Sequence, residues 1–145
     1  MNLSRNFTLQ ELIKSDTAVR LGVDNNPNAN QIEKLKISNS WININSYRDS
    51  NEQHAHPHSF FSGVFYIKAP KESGTITFIN PAKNLMEWVF NEKITDYNEQ
   101  NSSIWSFEPQ ENVLFIFPSF LEHKVEPNMN ETEKRISISF NTALE

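Results

Sequence analysis

The sequence predicts a mainly β domain of the sandwich or jelly-roll class. From residue 39 onward, short segments alternate apolar and polar side chains, and clusters of turn residues separate these segments. Alternation with a period of two is the pattern of half-buried strands, and about eight such strands in succession are typical of a sandwich or a jelly roll. The length of 145 residues suits one such domain with a short attachment.

The N-terminal part of the chain has a different pattern, which predicts helix. We assign residues 1–37 to an N-terminal helical segment and residues 38–145 to the β domain. The stretch "TLQE" is a capping box, a hydroxyl followed three residues later by an acid, and it predicts a short helix over 8–15. After the turn-rich stretch "RLGVDNNPNAN", apolar residues on one helical face predict a second helix over 29–36.

The predicted strands follow one another with short connections. The apolar run at 113–117 is uninterrupted, which predicts a strand that is buried on both faces. The polar stretch at 96–103 predicts a surface loop. The full set of predicted strands is 39–45, 60–68, 74–80, 85–90, 104–107, 113–117, 123–126 and 134–141.

Three of the four histidines of the chain stand two residues apart. In an extended segment such positions share one face, so His54, His56 and His58 could all point the same way. The fourth, His123, alternates with the polar residues of its strand, which places it on the inward, apolar face. Because neutral imidazole is the commonest metal ligand in proteins, these residues predict a metal site.

A structural interpretation of the histidines stays open beside the metal site. In this interpretation the clustered histidines lie on the surface next to a turn, and His123 is satisfied by a hydrogen bond in the core. His58 follows Pro57 and is the member best explained as a surface residue or as a support for the ligands.

The last strand, "KRISISF", carries an anion-binding signal. Arg135 and Ser137 share one face of this strand, and isoleucines occupy the other. A central strand is covered on both faces, and an arginine on a covered face needs an anion because an unpaired buried charge is costly. The guanidinium fork fits a carboxylate, so we predict that Arg135 and Ser137 bind the carboxylate of a ligand. The alternative is a salt bridge between Arg135 and a surface glutamate.

The amino-acid composition limits which binding partners and which cellular compartment we expect for this protein. The net charge is −5, and no cluster of basic residues stands out, which argues against nucleic acid binding. The chain has no cysteine, no signal-peptide pattern and no apolar run of bilayer length. We therefore expect a cytoplasmic protein that acts on a small molecule or a peptide and does not contact membranes. Exposed edge strands would allow a homodimer.

Residues 39–141 resemble a group of short 2-oxoglutarate/Fe(II)-dependent oxygenases of bacteria and their phages. The matching stretches are, in order, "SWININ", "HAHPHSFFSGVFYI", "SGTITFINP", "ENVLFIFPSFLEHKVEPN" and "RISISFN". The resemblance implies a double-stranded β-helix, the jelly roll of the cupins, in which His54, His56 and His123 hold Fe(II). It implies the hydroxylation of a primary substrate that the motifs do not identify.

The same resemblance implies a binding site for 2-oxoglutarate, the co-substrate of these enzymes. Arg135, with Ser137, would grip its far carboxylate. Tyr66 matches a tyrosine that assists this contact in several relatives. Asn43 and Ser62 lie on predicted strands that could line the pocket as supporting residues.

One position departs from the wider superfamily of these oxygenases. The second ligand there is usually Asp or Glu, whereas this chain has His56. Three neutral imidazoles leave one more positive charge at the site, which favours an anionic co-substrate. The same ligand set also fits a three-histidine cupin-type dioxygenase, or a metal-binding jelly-roll structural or adaptor protein of a phage. Arg135 and Ser137 favour the 2-oxoglutarate-dependent oxygenase.

Residues 4–36 carry a second resemblance, to the opening segment of phage-type D-alanyl-D-alanine carboxypeptidase-like peptidases. The zinc-binding motifs of those enzymes are absent from this sequence, so the resemblance implies no peptidase activity. It predicts a helical attachment that docks on the barrel or on a partner. It also indicates a phage gene, for which the compartment would be the host cytoplasm.

Overall fold

The computed structural model describes residues 35–90, 94–98 and 101–144. The predicted helix over 8–15, most of the predicted helix over 29–36 and the peptidase-like segment lie outside the described residues. Within the described ranges, no helix combines the length and the apolar character needed to cross a membrane.

The described part of the chain contains eight strands in two antiparallel sheets of four. The strands are β1 (Leu35–Asn45), β2 (Asn51–His54), β3 (Phe61–Lys68), β4 (Ile76–Ile79), β5 (Ile104–Phe107), β6 (Leu114–Pro118), β7 (His123–Val125) and β8 (Arg135–Leu144). The first sheet has the order β1-β8-β3-β6, and the second sheet has the order β2-β7-β4-β5. Apart from the pair β4 and β5, consecutive strands alternate between the sheets, which is the winding of a double-stranded β-helix. The predicted jelly-roll fold is therefore confirmed.

The beginning of the β domain differs from the prediction. β1 starts at Leu35, which pairs with Leu144 of β8, so residues 35–37 extend the first sheet although they were assigned to the helical segment. β2 has no counterpart among the predicted strands. Its residues, "NEQH", are all polar, so they carry no alternation from which a strand could be predicted.

The segment at 85–90, predicted to be a strand, is helical instead. A short helical turn, α1 (Lys83–Leu85), continues into a π-helical turn (Met86–Phe90). Lys83 and Glu87 form an ion pair at 3.8 Å across one helical turn. A short apolar run does not distinguish strand from helix by its periodicity, so the sequence pattern alone could not exclude a helix at this segment.

The apolar strand predicted at 113–117 is β6, which lies at an edge of the first sheet. Phe117 is buried, but the other residues of β6 are only half-buried, so the prediction of burial on both faces is wrong for most of this strand. The other predicted strands each overlap an observed strand. Among the described residues the buried apolar core is small and consists of Val64, Tyr66, Ile76, Phe78 and Phe117.

The two faces of the first sheet differ sharply in polarity. On β8, Arg135 and Ser137 are buried, whereas Ile136 and Ile138 on the opposite face are only half-buried. Successive side chains of a strand point to opposite faces, so the polar residues of β8 point toward the second sheet. The space between the sheets is therefore partly polar, which is unusual for a barrel core and suits a binding site.

Candidate metal centre

Three imidazoles converge between the ends of two neighbouring strands. His54 ends β2 and His123 begins β7, and the two residues are paired directly across the second sheet. His56 follows in a loop, where its backbone N–H donates to Ser119 O at 2.9 Å. One nitrogen of each ring lies within 4.8 Å of the other two. The strand pairing thus joins two histidines that are far apart in sequence.

Backbone carbonyls fix the orientation of two of these rings. His54 Nδ1 lies 2.6 Å from Glu52 O, and His123 Nδ1 lies 3.0 Å from Leu121 O. A carbonyl oxygen only accepts hydrogen bonds, so Nδ1 carries a proton in both rings, and in the neutral form of each ring the lone pair is on Nε2. Metal-binding histidines are commonly oriented in this way, with the second nitrogen donating to a carbonyl or carboxylate.

Burial keeps the imidazole ring of His123 neutral. His123 is 5% exposed and packs against Phe117, with ring centroids 4.6 Å apart. Burial lowers the pKa of His123 to about 4, although the hydrogen bond to Leu121 O opposes the shift. Burial, with the neighbouring His54, also lowers the pKa of His56. Neutral rings at physiological pH offer free lone pairs to a cation.

This arrangement predicts that the metal-free protein loses stability in mild acid. The unfolded chain protonates His123 near its ordinary pKa of about 6.5, whereas the folded state resists protonation until about pH 4. The contribution of neutral His123 to the free energy of unfolding is therefore fully present above pH 6.5, and it is lost as the pH falls toward 4. With chelator present, urea unfolding at pH 5.5 should show a free energy of unfolding about 1 kcal/mol lower than at pH 7.5. In the variant His123→Gln, most of this difference between pH 5.5 and pH 7.5 should disappear. A difference as large as in the unmodified protein would show that protonation of His123 is not its cause.

His58 does not join the other histidines. It lies in a turn with a φ of 64°, its side chain is exposed, and it is absent from the cluster that could hold a metal. The shared face expected for His54, His56 and His58 is wrong, because β2 ends at His54 and the chain then turns. The structure gives His58 no supporting contact to the ligands among the described residues.

Arg135 lies at the base of the same interior, at the start of β8. It is 1% exposed, and its Nη1 donates to Ser73 O and, at 3.0 Å, to Glu126 O. Its Nη2 is buried and has no hydrogen-bond partner among the described residues. Within the described part of the chain no carboxylate forms an ion pair with Arg135, so the surface salt bridge considered as an alternative is not observed there.

Tyr66 supplies a second unpaired polar atom in this region. Its side chain is 1% exposed, and its buried Oη has no partner among the described residues. Burial raises the pKa of Tyr66 to about 12, with the charge of Arg135 opposing the shift, so the phenol is protonated and can donate. Burial also lowers the pKa of Arg135, but a guanidinium stays charged in proteins.

One cavity connects the histidine cluster to the arginine. The residues that line it come from both sheets. The predicted site residues among them are Asn43, His54, His56, Tyr66, His123, Arg135 and Ser137. Six of these seven were expected to bind metal or co-substrate, and the fold brings them around one space.

The two expected supporting residues behave differently from each other. Asn43 lines the cavity, and its Nδ2 donates to Ser139 Oγ at 2.9 Å. Ser62 is buried but is not among the lining residues, since its hydroxyl donates to Asn141 Oδ1 at 2.7 Å and contacts Ser119 Oγ at 2.8 Å. Ser62 therefore supports the loop that carries Ser119, which in turn accepts from the backbone of His56.

Trp41 is a lining residue that the sequence analysis did not select. Its ring centroid lies 5.7 Å from that of His56, and it borders the cavity beside Asn43. The alternation along β1 contained the signal, because Trp41 and Asn43 share one face of the strand. Asn51, the first residue of β2, lines the cavity as well and carried no such signal.

The donor set fits a divalent transition metal. Three imidazole nitrogens suit iron, zinc, copper or nickel, and bonds of about 2.0–2.1 Å would require only a small contraction of the cluster. No carboxylate joins the cluster among the described residues. A metal held by three protein ligands keeps further coordination positions for small molecules, which is typical of catalytic rather than structural sites.

Comparisons with known proteins agree with this fold. A family model described as "Putative 2OG-Fe(II) oxygenase" matches residues 39–141. The structure is similar to an oxidoreductase of the 2OG-Fe(II) oxygenase family from Burkholderia pseudomallei, with 14% identity, a TM-score of 0.55, and coverage of 75% of this chain and 45% of that chain. It is also similar to a Pseudomonas putida prolyl-4-hydroxylase, with 13% identity, a TM-score of 0.58, and coverage of 100% of this chain and 72% of that chain.

These structural likenesses establish the fold and no finer property, because the identities are low. The chain spans less than half of the length of the Burkholderia protein. No protein with a curated description matches the sequence.

Proposed function

Since this chain belongs to the family described as "Putative 2OG-Fe(II) oxygenase", we propose that it is an Fe(II)- and 2-oxoglutarate-dependent oxygenase. The acceptor of the oxygen atom is a small molecule or a peptide, which is hydroxylated. The single observation that carries this proposal is one cavity lined by three imidazoles that could hold a metal and by two buried polar groups that have no partner among the described residues.

His54, His56 and His123 would hold the Fe(II) ion. Two of these rings are already oriented with Nε2 free, so the protein needs little reorganisation to bind a metal. His54 is exposed, whereas His123 is buried, so the ion would sit where the interior meets solvent. Such a position gives both oxygen and a substrate a path to the metal.

Arg135, Tyr66 and Ser137 would bind the far carboxylate of 2-oxoglutarate. A buried donor without a partner costs about 1–3 kcal/mol, and neither Arg135 Nη2 nor Tyr66 Oη has a partner among the described residues. A carboxylate would accept from both donors, and Ser137 lies on the same face of β8, beside the cavity. These donors suit an anion, which would supply the partner that they lack among the described residues.

The three-imidazole ligand set makes the site more positive than a set with a carboxylate. Neutral ligands leave both charges of Fe(II) uncompensated, and Arg135 adds a third positive charge to the same cavity. The dianion 2-oxoglutarate is complementary to this charge. When bound, Fe(II) and 2-oxoglutarate would supply the electrons that convert dioxygen into the oxidant for hydroxylation. The chain's own residues position both groups and shield them.

A second candidate function is favoured by the absence of a carboxylate from the cluster among the described residues. A three-histidine cupin-type dioxygenase would use the same three ligands and would oxidise a thiol or a diketone without 2-oxoglutarate. A structural or adaptor protein would use them for a closed zinc site. Neither alternative accounts for the buried atoms of Arg135 and Tyr66 that have no partner within the described part of the chain.

The direct test is the formation of succinate. Protein loaded with Fe(II) without oxygen and then supplied with oxygen, ascorbate and 2-oxoglutarate should form succinate above the background without enzyme, even before a primary substrate is added. Oxygen consumption with a thiol or a diketone, but not with 2-oxoglutarate, would indicate the cupin-type dioxygenase. Tightly bound zinc without any response to 2-oxoglutarate would indicate the structural role.

A further inference from the structure

The outer face of the first sheet is apolar across its full width. The strand register places Ile42 of β1, Ile138 of β8, Phe65 of β3 and Leu114 of β6 in one continuous row. None of these four residues is buried, and Ile42 is 63% exposed. A row of four large apolar side chains across four strands is the pattern of a sheet face that packs against another layer.

Neighbouring rows extend the same surface. Ile44 of β1 is 57% exposed and pairs with Ile136 of β8. On the other side of the first row, Phe140 of β8 and Ile116 of β6 flank Gly63 of β3. A Cβ added to Gly63 would collide with the ring of Phe140, so this ring occupies the space above Gly63.

The described part of the chain contains no layer over this surface. α1 and the π-helical turn connect β4 to β5, and both of these strands belong to the second sheet. Among the described strands, β1 is moreover an edge strand that pairs only with β8. Apolar patches of this kind on a monomer mark an interface rather than a solvated surface.

We propose that residues 1–34 of the same chain cover the outer face of the first sheet. These 34 residues lead directly into Leu35, the first residue of β1, at the edge of this sheet. The predicted helix over 8–15 would be about 12 Å long, the part of the second predicted helix that precedes β1 would be about 9 Å long, and four strands span about 14 Å. The apolar residues available for the contact include Phe7, Leu9, Leu12, Ile13 and Ile32.

Packing of residues 1–34 on the outer face would also stabilise the binding site on the inner face of the same sheet. Ile136 and Ile138 of the outer face alternate with Arg135 and Ser137 of the inner face along one strand. A layer packed on the isoleucines would therefore hold β8 in place behind the two residues assigned to the carboxylate. This inference concerns packing and is independent of the proposed catalytic activity.

Site-specific crosslinking tests the proposal. Because the chain has no cysteine, an introduced cysteine is the one thiol that the reagent can modify. In the full-length variant Ile42→Cys, a photoreactive maleimide should crosslink to peptides of residues 1–34 within a species of monomer mass. The matched control is Ile104→Cys, which replaces an isoleucine of β5 in the second sheet that is 49% exposed, and it should give no such peptides. Crosslinks at dimer mass would assign the face to a second copy and overturn the proposal, as would the absence of any crosslink from the thiol introduced by Ile42→Cys.

A substitution in the N-terminal segment provides an independent readout. In the Ile42→Cys background, Leu12→Asp should reduce the yield of the crosslink about tenfold, because a charge would have to be buried in an apolar contact. Gln10→Asp, two residues away on the polar side of the predicted helix, should leave the yield unchanged. Equal yields for the two substitutions would contradict docking through the apolar residues.

Discussion

Replacing His123 with alanine is expected to abolish both metal binding and succinate formation. His123 is the buried member of the cluster, and its Nδ1 contact with Leu121 O aims Nε2 toward the other two rings. Loss of a supporting residue around a metal site already costs about 10–100-fold in affinity, so loss of a ligand should cost more than about 100-fold in Fe(II) affinity. The measurements are the iron content after anaerobic loading and the succinate formed.

The chain offers a matched control for this experiment, because only one of its four histidines lies outside the cluster. His58→Ala should bind iron and form succinate as the unmodified protein does. His54→Ala should reproduce the loss seen with His123→Ala, and since His54 is exposed, unfolding would not explain that loss. Iron content that is equal in His58→Ala and His123→Ala would show that the cluster is not the metal site.

The inward histidine illustrates what the sequence could predict. The alternation of "LEHKVE" placed His123 on the apolar face, and the structure finds it 5% exposed between the sheets. Period-two alternation fixes which face a residue occupies, and a jelly roll has only one interior. The same argument placed Arg135 and Ser137 on a covered face, and both are buried.

Turns and short polar segments limited the prediction elsewhere. His58 was expected to share a face with His54, but β2 ends at His54 and His58 lies in a turn with left-handed backbone. Such a turn is usually predicted from a glycine, and this position is not a glycine. β2 could not be recognised, because it pairs with β7 through its backbone and has no apolar side chain. Backbone pairing between distant segments has no local signal.

The unpaired polar atoms were beyond sequence reasoning for a different reason. Whether Tyr66 Oη has a partner depends on the distances to residues that are far away in the chain, and no composition or spacing records these distances. The structure adds that the fold itself satisfies Arg135 Nη1 with backbone carbonyls while Nη2 has no partner among the described residues. One guanidinium therefore has a structural role through Nη1, and its Nη2 is available for the proposed binding role.

Arg135→Ala is expected to weaken 2-oxoglutarate binding by about 100-fold or more while the protein still binds Fe(II). A hydrogen bond to a charged group contributes about 1.5–3 kcal/mol, and the variant loses both this bond and the favourable charge. The measurement is an anaerobic calorimetric titration of the Fe(II)-loaded protein with 2-oxoglutarate. The variant should also melt at a lower temperature, because Nη1 no longer satisfies the carbonyls of Ser73 and Glu126.

Tyr66→Phe separates binding from folding, because the fold gives the Tyr66 hydroxyl no partner among the described residues. Removing a buried donor that lacks a partner should leave the melting temperature unchanged or raise it. The same substitution should weaken 2-oxoglutarate binding about tenfold, since one hydrogen bond to the carboxylate is lost. A variant that binds 2-oxoglutarate normally would remove Tyr66 from the site. Unchanged affinity in Arg135→Ala as well would show that the buried donors of this cavity do not bind the co-substrate, whatever the histidines hold.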